Sequence, residues 1–256
     1  MFMRPTARPR CPRQITRQPR WARHSQSLSA EENRQLWLAD AQSFDEAFGA
    51  ALNEQRATLG LPPVSRLAHH ITTDHPWLAA DPVLAPVRAP IEMEVFQTGA
   101  WILADPTPLP DELEAFLAAG DPPLYFGFGS MRAKEETGQV FIETARALGR
   151  RAILMREWGA LEVGDGDDII AIGGVNHELL LPRVAAVIHH GGAGTTTAAA
   201  HAGRPQVIAP HVYDQYYWAH RVETLGVGVE GPAPAELSVQ GLTDALRACL
   251  APDRAA

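Results

Sequence analysis

From Pro122 onward, short apolar runs alternate with amphipathic stretches along the chain. "LYFGF" (124–128), "RAILM" (151–155), "DIIAIG" (168–173), "VAAVIH" (184–189), "PQVIAP" (205–210) and "VGVE" (227–230) read as strands. Between them, "GQVFIETARALG" (138–149), "NHELLL" (176–181), "TTTAAAHAG" (195–203), "DQYYWAHRVETLG" (214–226) and "SVQGLTDALRACL" (238–250) read as helices. Ser238 is placed as an N-cap, and Gly226 closes the helix before it. The strands are apolar throughout rather than alternating, which predicts a parallel sheet covered by helices on both faces. In such a sheet, ligands bind outside the carboxyl ends of the strands.

Before Pro122 the pattern is less regular. Residues 1–30 are poor in aliphatics and rich in Arg, Pro, Gln and Ser, which reads as a disordered basic extension. Residues 31–104 hold one stretch near helical spacing, "SFDEAFGAALNEQRATLG" (43–60), with Phe44, Phe48, Leu52 and Leu59 on its apolar side and Gly60 as a stop. A proline-punctuated segment with extended pieces, including "WLAADPVLAPV" (77–87), follows. Residues 105–121 read as a linker carrying a short helix capped by Asp111, and 122–256 as one doubly wound domain.

Charge sharpens the division. The chain of 256 residues carries a net charge of −8, yet residues 1–30 hold seven arginines and no acid, leaving about −15 on the rest. A body that acidic argues against nucleic-acid binding. No apolar run approaches the roughly 18–20 residues that span a bilayer, and the basic start lacks the apolar core of a secretory signal. The two cysteines, Cys11 and Cys249, lie in opposite tails and imply no disulfide framework. A cytoplasmic enzyme or binding protein is the expectation.

The most informative stretch is "AAVIHHGGAGTTTAAAHAGRPQVIAP" (185–210). A strand ends at His189, Gly191, Gly192 and Gly194 follow, and a helix opens at Thr195. Glycines let the backbone turn and let a ligand approach without an intervening Cβ. The helix start offers free N–H groups and about half a positive charge, which favours a phosphate. No Gly-Lys-Ser/Thr follows, so this is not a P-loop, and Thr197 stands where a dinucleotide fingerprint needs glycine. A second glycine loop, "FGFGSMRA" (126–133), places Ser130 at the same edge. Asp214 and Gln215 open the helix after "QVIAP". A carboxylate beside a carboxamide suits neighbouring sugar hydroxyls, and an ordinary N-cap is the alternative for Asp214.

Residues 188–229, with "QTGAWILADPTPLPDELEAFLAAGDPPLYFGFGSM" (97–131) and "LPPVSRLAHHITTDHPWLAADPVLAPV" (61–87), closely resemble bacterial family 1 glycosyltransferases of the type that modify vancomycin-like antibiotics. The resemblance runs from about residue 31 to the end. It implies a GT-B fold, with a Rossmann-like donor domain and part of an acceptor domain. It also implies an inverting, metal-independent transfer of a hexose from a UDP- or dTDP-sugar to a small-molecule aglycone, without a cofactor. His189, Gly191, Gly192, Gly194, Thr195 and Ser130 would then meet the diphosphate, Asp214 and Gln215 the sugar, and the backbone of Val175 the pyrimidine edge.

The resemblance is also incomplete. Such enzymes begin with a strand, a glycine loop and most of an acceptor domain, which carries the general base. Nothing before residue 31 matches that half, so the expectation is an amino-terminally truncated member with no catalytic base identified. His69, His70 and His75 are read as structural or surface residues rather than a substitute base. Two readings compete: a glycosyltransferase, or an inactive remnant that keeps nucleotide-sugar affinity. A non-hydrolysing sugar-nucleotide epimerase is set aside on "HHGGAGTT" and the Asp-Gln pair. A partial acceptor domain would leave apolar surface exposed.

Overall fold

The computed structural model describes residues 30–72, 75–87, 94–128, 135–156 and 166–251. The basic segment 1–29 therefore lies outside the described residues, as do Ser130 and most of its loop. Six parallel strands form the main sheet: β3 (Leu124–Gly127), β4 (Ala152–Met155), β5 (Ile169–Ile172), β6 (Ala186–His189), β7 (Gln206–Ile208) and β8 (Gly228–Glu230). Their order is β5-β4-β3-β6-β7-β8. The chain winds outward from β3 to β5, then returns beside β3 with β6 and winds the other way. That reversal opens a crevice between the carboxyl ends of β3 and β6, the position where doubly wound sheets take ligands.

Strand parity separates two apolar layers, because alternate side chains point to opposite faces. Leu124, Phe126, Leu154 and Ile188 pack into one layer with Phe141, Leu242 and Leu246 from α4 (Glu135–Ala147) and α8 (Val239–Cys249). Tyr125, Ile153 and Val187 face the other, with Leu113 and Leu117 from α3 (Asp111–Ala118), Leu180 from α5 (His177–Leu180), and Ala199 from α6 (Ala193–His201). Such burial on both faces is what apolar strands require. Ser238 does cap α8, its hydroxyl accepting from the Gly241 N–H at 3.2 Å. Asp111 does not cap α3. Pro110 occupies that position, and Asp111 is the first helical residue, where its charge complements the helix dipole.

The amino-terminal part is thinner. Helix α1 spans Ala30–Thr58, starting well before the periodic stretch, and ends at Gly60 with φ +67°. After α2 (Leu67–Thr72) come β1 (Trp77–Leu78) and β2 (Phe96–Gln97), which pair in parallel as a sheet of their own. Trp37, Leu38, Trp77, Phe96, Trp101 and Leu103 are exposed, Leu103 by 92 %. No helix among the described residues is long and apolar enough to cross a membrane.

Two buried side chains hold this part to the main sheet. Arg221 of α7 (Gln215–Thr224) is 5 % exposed, and its guanidinium donates to the carbonyls of Leu84 (2.7 Å) and Val83 (2.8 Å). Around it Ala80, Leu84 and Ala85 pack on Ile208, Trp218 and Val222. Asn176, beyond β5, holds residues 105–107.

Candidate functional site

The crevice predicted by the strand order is lined from β3 by Phe128 and from β6 by His190. Their rings lie 6.4 Å apart, and the ring of His211, just beyond β7, is 5.9 Å from Phe128. Burial lowers the pKa of His190, opposed in part by the Asp214 carboxylate. His211 is lowered to about 4, by burial first and then by His190. Both imidazoles are therefore neutral at pH 7. Nδ1 of His190 is buried and unpartnered, while Nε2 lies 2.7 Å from where a Cβ on Gly192 would stand, at the start of α6.

Gly192 occupies the N-cap position of α6, and no side chain caps the helix. Around Gly194, a Cβ would meet nothing within 4 Å. Thr195 is half-buried in the first turn. An open helix start with unsatisfied N–H groups, beside a neutral imidazole, has the electrostatics that favour an anion.

His189 does not belong to that site, contrary to the sequence expectation. Its side chain is fully buried, and both ring nitrogens are engaged inside the fold. Nδ1 accepts from the Gly191 N–H at 3.1 Å, so the proton sits on Nε2, which donates to Gln206 Oε1 at 2.9 Å. Gln206 Nε2 in turn donates to the Thr196 carbonyl at 3.2 Å. The histidine thus fixes the glycine loop and the start of α6 from behind. His190, next along the chain, is only half-buried and lies beside Phe128 at the crevice instead.

Gln215 is 7 % exposed, and its Oε1 accepts from the backbone N–H groups of His211 (2.7 Å) and Val212 (3.0 Å), so that oxygen shapes the loop after β7. Asp214 is exposed and, though at the helix start, caps nothing. One carboxylate oxygen accepts from the Trp218 indole at 2.9 Å, which orients the group from its own helix. Val175 lies beyond β5, half-buried against the second apolar layer. His69 and His70 are exposed on α2, and His75 is an exposed partner of Glu94 at 3.3 Å.

Burial also depresses the pKa of His189, to about 3, mainly through desolvation. A histidine held neutral in the fold but titrating near 6.5 when unfolded contributes stability that is fully present above about pH 6.5. That stability is lost as pH falls toward the folded value, at up to about 1.4 kcal/mol per pH unit. His189 and His211 together should make urea midpoints fall steeply between pH 6.5 and 4. His211→Asn should shallow the slope, and an unchanged midpoint across that range would contradict the buried neutral forms.

Residues 166–255 match the family model for the carboxyl-terminal domain of erythromycin biosynthesis protein CIII-like proteins. The chain is 52 % identical to glycosyltransferase GtfE of Amycolatopsis orientalis over 86 % of this chain and 54 % of that one. It is 51 % identical to the vancomycin aglycone glucosyltransferase of the same organism, over 85 % and 53 %. The solved structure of the glycotransferase of kitacinnamycin superposes with a TM-score of 0.66 at 18 % identity, covering 89 % of this chain and 61 % of that one. The chain spans about half the length of the curated relatives it matches. The chain has the fold of the GT-B glycosyltransferases, and over most of its length it is similar to the vancomycin-type enzymes of that group.

Proposed function

We propose that this chain binds a UDP- or dTDP-hexose at the carboxyl edge of its main sheet. It acts as the donor half of an inverting, metal-independent transfer of the sugar to a hydroxyl of an antibiotic-type aglycone. The observation that carries the reading is the uncapped start of α6 facing His190, whose Nδ1 is buried without a partner. A diphosphate there meets Gly192, Gly194 and Thr195 from the helix and an imidazole from the strand.

The strand order then orients the rest of the donor. Asp214 follows β7, on one side of the diphosphate site, and the loop with Val175 follows β5, on the other. The sugar goes to Asp214, whose carboxylate accepts from two hydroxyls' worth of O–H donors. The nucleoside extends across β3 and β4 toward Val175, a span of about 14 Å at ~4.8 Å per strand.

The chemistry follows from the leaving group. As the acceptor oxygen attacks the anomeric carbon from the opposite face, the sugar–phosphate bond breaks and charge accumulates on the diphosphate. Helix N–H groups and the His190 imidazole stabilise that charge where it develops, without reorganising. Deprotonation of the acceptor hydroxyl falls to a general base outside the groups named here.

Calorimetric titration with UDP and dTDP, with and without EDTA, tests the donor site. Saturable binding unaffected by the chelator is expected, and no binding by a folded chain overturns the reading. Adding a UDP- or dTDP-sugar with a vancomycin-type aglycone then separates transfer from binding alone. Tight binding without product supports the second reading, a nucleotide-sugar binding module.

A further inference from the structure

Asn176 is 4 % exposed and uses its side chain in two directions at once. Its Oδ1 accepts from the backbone N–H groups of Glu178 (2.9 Å) and Leu179 (3.3 Å), capping α5. Its Nδ2 donates to the carbonyls of Asp105 (2.6 Å) and Thr107 (3.0 Å), about seventy residues earlier in the chain. Those two carbonyls are presented by a turn in which Asp105 Oδ1 accepts from the Thr107 N–H at 2.9 Å. The residues just before Asn176 are Gly173, Gly174 and Val175. The two glycines are exposed, with open space where a Cβ would stand. Downstream, His177 Nε2 lies 2.8 Å from the Tyr125 hydroxyl and Leu180 is fully buried, so α5 is fixed to the sheet; the side chain that ties its start to residues 105–107 is that of Asn176.

We propose that Asn176 is a positioning residue for nucleoside recognition: by gripping the carbonyls of Asp105 and Thr107 while capping α5, it sets the 173–175 loop at the height where the base lies. This rests on the donor-site reading above. A positioning residue of this kind acts on the nucleoside end of the ligand and leaves the phosphate end, three strands away at β6, untouched. That difference separates it from a residue that only holds the fold together.

The chemistry of asparagine supplies a clean variant. Asn176→Asp keeps an oxygen for the α5 amides but replaces the donating NH2 by a second oxygen facing two carbonyls, so it releases residues 105–107 and spares the cap. Asn176→Ser also caps and reaches neither carbonyl. Titration of wild type and both variants with UDP, dTDP, ADP and inorganic pyrophosphate tests the proposal, with thermal unfolding recorded alongside. In both variants pyrophosphate binding should stay within twofold of wild type. UDP or dTDP binding should weaken at least tenfold, and preference over ADP should collapse toward unity. Unchanged UDP and dTDP affinity in a folded Asn176→Asp overturns the proposal, as does equal weakening of pyrophosphate and UDP. A wild-type chain that binds pyrophosphate but no nucleotide overturns it while leaving the anion site standing, and one that binds neither removes both readings.

Discussion

His190→Ala should leave the fold intact and weaken UDP or dTDP binding at least tenfold, about 1.4 kcal/mol, while His189→Ala should do the reverse in order of cause. His190 is half-buried at the crevice, and its loss removes the ring proposed to meet the diphosphate without exposing a packed layer. His189 is fully buried, and truncation strands Gln206 Oε1 and the Gly191 N–H in the interior. Each stranded group costs about 1–3 kcal/mol, and the cavity adds to it. A loss of roughly 3 kcal/mol in unfolding free energy is expected, with affinity falling only because the loop behind the ligand has loosened. Urea denaturation paired with calorimetry distinguishes the two variants. A stable His189→Ala that has lost binding, beside an unaffected His190→Ala, would restore the assignment that the sequence alone suggested.

That assignment failed for a reason rooted in strand geometry. In a sheet buried on both faces, "VAAVIHH" contains no polar–apolar alternation to say which of two adjacent histidines looks outward. The answer lies in where the ladder ends: His189 still pairs in register with Gly127 and Ile208, and His190 is the first residue past it. The sheet and its order of elements were legible, because apolar runs separated by amphipathic helices admit few other architectures. The carboxyl-edge loops were legible too, since each glycine or acidic turn follows a strand.

Long-range grips were not legible. Asn176 reaches residues 105–107, and Arg221 reaches Val83 and Leu84 more than 130 positions away, pairings that leave no local spacing to read. The early turns of α1 escaped as well. Trp37 and Leu38 are adjacent and both more than half exposed, so they mark no buried face for periodicity to find. Gln215 looked like a ligand group because amides donate and accept. Its Oε1 is taken by the backbone N–H groups three and four residues before it, a local loop closure that spacing alone does not announce.

Two glycines in one loop should answer to alanine in opposite ways. Gly191 has φ +92°, and a Cβ there would stand 2.6 Å from Ile208 Cγ2 and 3.0 Å from the Gln215 carbonyl. Ile208 is fully buried and cannot retreat, and the left-handed backbone alone costs an L-residue roughly 1–2 kcal/mol. With the overlap added, Gly191→Ala should lose at least about 3 kcal/mol of stability and, with it, the shape of the loop. Gly194 lies within the first turn of α6 with open space around it. Alanine there should hold or raise stability, by up to about 0.5–1 kcal/mol. No neighbour within the fold requires glycine at that position, and its open side faces whatever approaches from outside. Gly194→Ala should therefore keep or raise its unfolding temperature and still lose UDP and pyrophosphate affinity by tenfold or more. If the variant binds both as the wild type does, the diphosphate does not sit on the end of α6. A stable protein with a lost ligand would identify Gly194 as a residue kept small for the phosphate rather than for the fold.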